Sequence, residues 1–89
     1  MNLENPFSQT REKAKYALFQ IVLEKHRKDM AAGITEIHKA VRGTLISLDP
    51  RELQMSISSL ISRTNKDLDA QGLPRIVTGK ETYTYQFDA

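Results

Sequence analysis

Residues 49–72, DPRELQMSISSLISRTNKDLDAQG, are the stretch around which the rest of the chain is organised. Asp49 is a preferred N-cap residue, Pro50 suits the first helical position, and Glu52 stands three residues after the cap, as in a capping box. Apolar residues then recur at steps of three and four and form one stripe that must face a core: Leu53, Ile57, Leu60, Ile61 and Leu68. The pattern predicts a long helix whose buried side is this stripe.

The opposite side of the predicted helix carries short hydroxyls and cations, with no acid between Glu52 and Asp67. Its residues are Arg51, Met55, Ser58, Ser59, Ser62, Arg63 and Lys66. A solvated face normally mixes charges of both signs and uses better helix formers than serine, whose hydroxyl competes for backbone hydrogen bonds. Small hydroxyls allow close approach, and Arg and Lys suit phosphates and guanine edges, as a helix in a DNA major groove requires. Either this face binds a partner, or it is a plain surface rich in serine.

The length and composition indicate one small domain without catalytic or metal-binding motifs. A chain of 89 residues has room for a single core. It contains no Cys, which excludes a disulfide framework and a thiolate metal site. His26 and His38 have no partners at a metal-ligand spacing, and no motif of a nucleophile or a phosphate-binding glycine loop occurs. We therefore expect a protein that is not an enzyme and binds no metal or cofactor.

The distribution of apolar residues predicts a cytoplasmic protein. No apolar run approaches the roughly 20 residues that cross a bilayer. The N-terminal segment MNLENPFSQTREK lacks the apolar region of a signal peptide.

The net charge of +2 is unevenly distributed along the chain. Residues 1–28 hold six cations and three acids, a net charge of +3, whereas residues 29–89 hold seven cations and eight acids, a net charge of −1. The candidate recognition helix lies in the second part. Binding of phosphates therefore has to depend on local faces rather than on overall charge.

Residues 1–8, MNLENPFS, predict an arm that is flexible unless Leu3 or Phe7 packs on the domain. The first helix is predicted over residues 9–27. Its main apolar stripe consists of Ala14, Ala17, Leu18, Ile21 and Val22, and a second apolar side consists of Tyr16, Phe19 and Leu23. This apolar surface is wider than a small three-helix core requires. The first helix is therefore either central and covered by other elements, or part of a dimer contact.

A short second helix is predicted over residues 35–42, with Thr35 as its N-cap and Gly43 as the residue that stops it. Residues 33–34, just before the helix, suit a very short strand. Residues 44–48, TLISL, fit either a strand or a buried connector.

The end of the chain predicts a β-hairpin. After a break at residues 72–74, GLP, two alternating runs flank Gly79 and Lys80, which suit a two-residue hairpin loop. In that register Ile76 lies opposite Tyr83. Three aromatic residues would then share the face that packs on the helices: Tyr83, Tyr85 and Phe87.

The order of helix, short helix, longer helix and terminal hairpin, together with the segment LISRTNKDLDAQGLPRIVTGKETYTYQF, resembles the winged helix-turn-helix superfamily of DNA-binding proteins. The likeness covers residues 9–87. It implies an α+β fold of three helices followed by a C-terminal β-hairpin wing, in one domain over residues 9–89. It also implies that the helix at residues 50–70 enters the major groove, while the hairpin tip near Gly79 and Lys80 touches the DNA backbone or minor groove.

Given this resemblance, the predicted DNA-binding residues divide by chemistry. Four of them follow one another at helical spacing and are expected nearest the base edges: Met55, Ser59, Ser62 and Lys66. Three cations suit phosphates: Arg51, Arg63 and Lys80. Ser58 and Thr82 complete the predicted set.

The expected function is sequence-specific binding of duplex DNA by a small transcriptional regulator of bacterial, plasmid or phage type. A domain of this size makes few phosphate contacts, so useful affinity requires a homodimer on a two-fold site. The first helix or the N-terminal arm would form the dimer contact. The alternative is a winged-helix module that binds protein in a replication, partition or secretion assembly and does not bind DNA. The near-neutral charge of residues 29–89 favours this alternative.

Overall fold

The computed structural model describes residues 3–43 and 49–88. The elements in chain order are α1 (Lys13–Arg27), β1 (Ala32–Gly33), α2 (Ile34–Arg42), α3 (Pro50–Ala70), β2 (Ile76–Thr78) and β3 (Thr84–Phe87). The fold is α+β, with an antiparallel three-stranded sheet in the order β1-β3-β2. Three helices and a C-terminal hairpin are confirmed, in the layout of a small winged-helix-like domain. The predicted strand or connector over residues 44–48 lies outside the described residues.

The longest helix, α3, begins where its local sequence predicts. The Asp49 carboxylate accepts a hydrogen bond from the Arg51 backbone N–H at 3.0 Å, which satisfies one of the free donors of the first turn. The predicted apolar stripe is entirely buried: Leu53, Ile57, Leu60, Ile61 and Leu68. The local capping signals and the helical period therefore predict both the start of α3 and its inward side.

The first helix is central in the core. Its buried residues are Leu18, Phe19, Val22 and Leu23. The Phe19 ring packs against Phe87 of β3, with ring centroids 4.9 Å apart, and against Phe7 of the N-terminal arm at 6.0 Å. One side of α1 thus joins the sheet, the arm and the other helices around a single core.

The N-terminal arm packs along α1. Leu3 and Phe7 are both buried, which is the condition under which the sequence predicted an ordered arm. The Asn5 side-chain amide donates to the Tyr16 carbonyl at 3.0 Å and to Gln20 Oε1 at 3.2 Å. These contacts attach the arm to its own domain, so its apolar residues are not free to form a dimer contact.

The predicted start of the first helix at residue 9 is wrong, because α1 begins at Lys13. Ser8 forms a turn ahead of the helix: its hydroxyl accepts from the Arg11 N–H at 3.2 Å and its carbonyl accepts from the Glu12 N–H at 2.9 Å. Serine commonly offers the backbone such local alternatives to a regular helix. The helical ladder therefore starts only after this turn.

The predicted start of the second helix is also wrong by one residue. Gly33, and not Thr35, occupies the N-cap, and α2 begins at Ile34. The Ile34 N–H donates to the carbonyl of Tyr83 at 2.8 Å, while Glu36 Oε1 accepts from the Gly33 N–H at 3.3 Å. A carbonyl of the hairpin loop thus satisfies a first-turn donor, which no local signal in the sequence reveals. Gly43 ends the helix as predicted, in the left-handed conformation at φ 74°.

The predicted hairpin exists, but its predicted register is wrong. Ile76 pairs with Phe87, and not with Tyr83, because the loop spans five residues, 79–83. Tyr83 leaves the strand with φ 60°, and its carbonyl accepts the hydrogen bond from α2. Only Tyr85 and Phe87 enter the core fully, and Tyr83 is half-buried. The short strand before α2 pairs with β3 through Ala32–Gly33, one residue earlier than predicted.

At Gly79 the hairpin loop packs so closely on its neighbours that a side chain would not fit without a shift. A Cβ atom there would lie 2.5 Å from Thr84 Oγ1 and 3.3 Å from the Ala31 Cβ. The Gly79 N–H closes the loop on the Thr84 carbonyl at 2.8 Å, and the Thr84 hydroxyl donates to the Glu81 carbonyl at 2.7 Å. The loop is therefore compact and lies against the connection between α1 and α2.

Candidate nucleic-acid interface

The outer face of α3 is a continuous exposed surface. All seven residues predicted on it are exposed, namely Arg51, Met55, Ser58, Ser59, Ser62, Arg63 and Lys66. Met55 is 72% exposed, which is unusual for a large apolar side chain. Since the rise of an α-helix is about 1.5 Å per residue, the row from Arg51 to Lys66 is about 22 Å long. The structure thus brings the predicted helical residues together on one side, opposite the core.

The serines of this face differ in their hydrogen bonding. The Ser58 hydroxyl donates to the Met55 carbonyl at 3.0 Å and so has already used its proton within the helix. The hydroxyls of Ser59 and Ser62 make no hydrogen bond among residues 3–43 and 49–88. Arg63 Nε donates weakly to the Ser59 carbonyl at 3.4 Å. Ser59 and Ser62 are therefore the serines with a hydroxyl proton available to a partner.

The acids at the C-terminal end of α3 are paired with cations from other elements. Asp67 forms an ion pair with Lys15 of α1, and Asp69 accepts a longer contact of 3.3 Å from Arg75 Nε. No such pair occupies the cations of the outer face within the described ranges. The positive charge of this face, carried by Arg51, Arg63 and Lys66, is therefore not offset locally, even though residues 29–89 are near neutral.

The two predicted residues of the hairpin, Lys80 and Thr82, lie in its loop. Thr82 is exposed in the hairpin loop. Lys80 lines a polar cleft of about 610 Å³ with residues from the end of α1, the connection to α2 and β3. No α3 residue lines this cleft. The hairpin loop is tied to α2 through the Tyr83 carbonyl.

The hairpin is positioned by two polar residues of α3, Asn65 and Gln54, that the sequence analysis did not identify. Asn65 is buried and bonds both polar backbone groups of Ile76, at 2.7 and 2.8 Å. Gln54 Nε2 donates to the Tyr85 hydroxyl at 3.2 Å. The signal for Asn65 was an asparagine inside a helix, where its intrinsic propensity is poor and a tertiary partner is needed to justify it.

The two histidines lie in different environments. His26 packs edge-on against Phe87, with ring centroids 5.5 Å apart. His38 is buried on α2, and its Nδ1 atom has no hydrogen-bond partner in the part of the chain that the structure describes. Within those same ranges, no three histidine or acidic side chains cluster as metal ligands would.

None of the helices in residues 3–43 and 49–88 is long and apolar enough to span a membrane.

Comparisons of the chain with protein families, with characterised proteins and with solved structures found no match.

Proposed function

We propose that this protein binds duplex DNA sequence-specifically and acts as a small transcriptional regulator in the cytoplasm, of the kind found in bacteria, plasmids or phages. The observation that supports the proposal best is the outer face of α3. It is exposed over its whole length, carries cations and free hydroxyls, and has its neighbouring acids paired elsewhere. A helix with such a face suits a major groove that is about 12 Å wide.

The roles on this face follow from side-chain chemistry. Ser59 and Ser62, with free hydroxyls, are suited to hydrogen bonds with base edges, and the exposed thioether of Met55 is suited to a thymine methyl group. Arg51 and Arg63 are suited to phosphates, which fix the register of a protein on the duplex. Lys66, which continues the row of Met55, Ser59 and Ser62, is suited to a guanine edge or to a phosphate. The α3 face therefore combines residues for positioning with residues for sequence discrimination.

The hairpin contributes less to the proposed interface than the resemblance implies. Arg75 is engaged with Asp69, and Lys80 stands beside Glu81 at a loop attached to α2. We propose that Lys80 and Thr82 contact the DNA backbone at most, and that α3 carries the sequence preference.

The experiment that tests the proposal is fluorescence anisotropy with a random pool of 30-base-pair duplexes, titrated with the full chain at several salt concentrations. Each phosphate contact contributes about −0.9 to the slope of log affinity against log salt. Three α3 cations per protomer predict a slope of about −2.7 for a monomer and about −5.4 for a dimer. Selection of the bound pool would then yield a consensus site.

A second candidate function is a protein-interaction module in a replication, partition or secretion assembly. The observation that favours it is the low positive charge of the hairpin, where Arg75 is paired with Asp69 and Lys80 stands next to Glu81. Such a module has no DNA affinity even at low salt, so the same titration separates the two functions.

A further inference from the structure

We infer that the outer face of α1 is the contact surface of a homodimer, in which α1 packs antiparallel against α1 of a second copy of the chain. The inference rests on the proposed function only for the use of the dimer, which would present two α3 helices to DNA. The contact itself is argued from α1, and its test requires no DNA.

A groove of about 340 Å³ lies along α1 beside α2, at the border of the core. The α1 residues that line it are Lys13, Tyr16, Ala17, Gln20, Ile21 and Glu24. The exposed side chain of Ala40 on α2 forms part of its border. Tyr16, Ala17 and Ile21 are only half-buried in the single chain. Of the predicted second apolar side, Phe19 and Leu23 are buried, so the partly uncovered surface consists of Tyr16 together with Ala17 and Ile21 of the main stripe.

The six α1 residues are arranged symmetrically about a point between Leu18 and Phe19. Relative to the midpoint between Leu18 and Phe19, Lys13 and Glu24 are equally distant, as are Tyr16 and Ile21, and Ala17 and Gln20. In a two-fold contact both copies use the same patch, so each residue of one copy meets the residue of the other copy that lies at the same distance on the opposite side of the midpoint. An antiparallel pair centred at this midpoint places every Lys13 opposite a Glu24.

The charges of the groove are complementary to a second copy. Lys13 and Glu24 are exposed at its two ends, and neither has an ionic partner in the described part of the chain. Two other α1 cations already have one, since Lys15 pairs with Asp67 and Lys25 pairs with Glu36. A second copy would provide two Lys13–Glu24 pairs, which also select the antiparallel orientation over the parallel one.

The centre of the groove suits close helix packing. Lys13, Ala17, Gln20 and Glu24 follow one another at steps of four, three and four, the spacing of a helix-helix seam. Ala17 is small and allows the two helices to approach, while Tyr16 packs across the axis on Ile21. Leu3 and Phe7 of the arm are buried in their own domain and are not free for the dimer contact, while Asn5 of the arm bonds Gln20 and so borders the groove.

The test is sedimentation velocity of the full chain over a wide range of protein concentration, with charge reversals at the two ends of the groove. Lys13→Glu places two Glu–Glu pairs across the axis, and Glu24→Lys places two Lys–Lys pairs there. We expect each variant to weaken dimerisation by about tenfold or more, since two attractive surface pairs become two repulsive ones. The double variant Lys13→Glu/Glu24→Lys restores both pairs and the dimer.

A mixture of the two single variants provides a stricter readout. One copy then carries glutamates at both ends and the other carries lysines, so the mixture dimerises although each variant alone does not. Lys28→Glu is the matched control, because it changes the charge equally outside the groove. Circular dichroism of every variant checks that the fold is retained.

A wild-type chain that is monomeric at all concentrations overturns the inference, and so does a dimer whose dissociation constant is unaffected by the single reversals. Failure of the double variant or of the mixture to restore association overturns the antiparallel pairing. A monomer that still binds duplex DNA would refute the dimer contact and leave the proposed function standing.

Discussion

Asn65 of α3 holds both polar backbone groups of Ile76 in β2. Its Oδ1 accepts from the Ile76 N–H at 2.7 Å, and its Nδ2 donates to the Ile76 carbonyl at 2.8 Å. The strand pairs with β3 along its other edge, and the ladder is extended by the 2.8 Å bond from the Asp88 N–H to the carbonyl of Arg75, just before β2. One side chain therefore satisfies the free edge of β2 at Ile76 and joins the hairpin to α3.

Removal of this side chain is expected to destabilise the whole domain. Asn65→Ala leaves a buried N–H and a buried carbonyl of Ile76 without partners, and we expect a loss of about 2–4 kcal/mol in the free energy of unfolding. Urea denaturation measures it. Ser62→Ala, on the same helix but exposed, is the control and is expected to change stability by less than about 0.5 kcal/mol. A loss at Asn65 as small as that of the control would contradict the role assigned to it.

Charge reversal on the outer face of α3 is expected to weaken DNA binding without regard to sequence. Lys66→Glu removes a phosphate contact and introduces repulsion, so it lowers affinity for every duplex and reduces the salt slope by about one. Anisotropy titrations across salt concentrations measure both. Lys28→Glu, with the same charge change away from α3, serves as the control. Equal losses in the two variants would mean that overall charge, and not the α3 face, governs binding.

Enlargement of a serine on the same face is expected to change sequence preference. Ser62→Leu removes a free hydroxyl and fills the space next to a base edge, so the consensus selected from a random duplex pool should shift at one position, where a wrong contact costs about 1–3 kcal/mol. Ser58→Leu is the matched comparison, because that hydroxyl is already bonded to the Met55 carbonyl. An unchanged consensus for Ser62→Leu would remove this residue from the base-reading set.

The ion pair between Glu36 and Lys25 is expected to make stability depend on pH in the acidic range. The hydrogen bond from Lys25 lowers the pKa of Glu36 below its ordinary value, with a further contribution from the Gly33 N–H. A lowered folded-state pKa means that the stabilisation is present above the unfolded value and is lost as pH falls through the folded value. Because Glu36 is half-exposed, the effect is only about 0.5 kcal/mol.

The measurement is urea denaturation of the wild type and of Glu36→Gln over a pH series. The wild type is expected to be more stable above the unfolded-state pKa, and the difference is expected to vanish in stronger acid. Glu4→Gln, at an exposed position of the arm, is the control. A stability difference between wild type and Glu36→Gln that does not vary with pH would contradict the linkage.

Substitution of Gly79 by alanine is expected to lower the stability of the domain, because the added methyl group would clash with the Thr84 side chain. In Gly79→Ala the new Cβ would meet Thr84 Oγ1 at 2.5 Å, and rotation of that side chain would break its bond to the Glu81 carbonyl. We expect a loss of about 1 kcal/mol. In the Thr84→Ala background the same substitution should cost less, and a double-mutant cycle measures the coupling. Additive effects would show that the two positions do not interact.

The sequence by itself determined the features of this protein that depend on short-range physics. Asp49 and Pro50 specify the start of α3, since a cap needs only neighbouring backbone donors. The helical period predicted its buried stripe and its exposed hydroxyl-cation face. Gly43 specified the end of α2, because few other residues adopt its left-handed backbone conformation.

Only the tertiary structure decided the features that depend on distant partners. The carbonyl of Tyr83 accepts a hydrogen bond from the Ile34 N–H, and α2 therefore starts earlier than predicted. With Tyr83 in the loop, the hairpin loop has five residues where two were predicted. Asn65 and Ile76 are linked across a turn, and Lys15 neutralises Asp67 on another helix. Such pairings depend on which surfaces meet in space, and neither local propensity nor periodicity specifies that meeting.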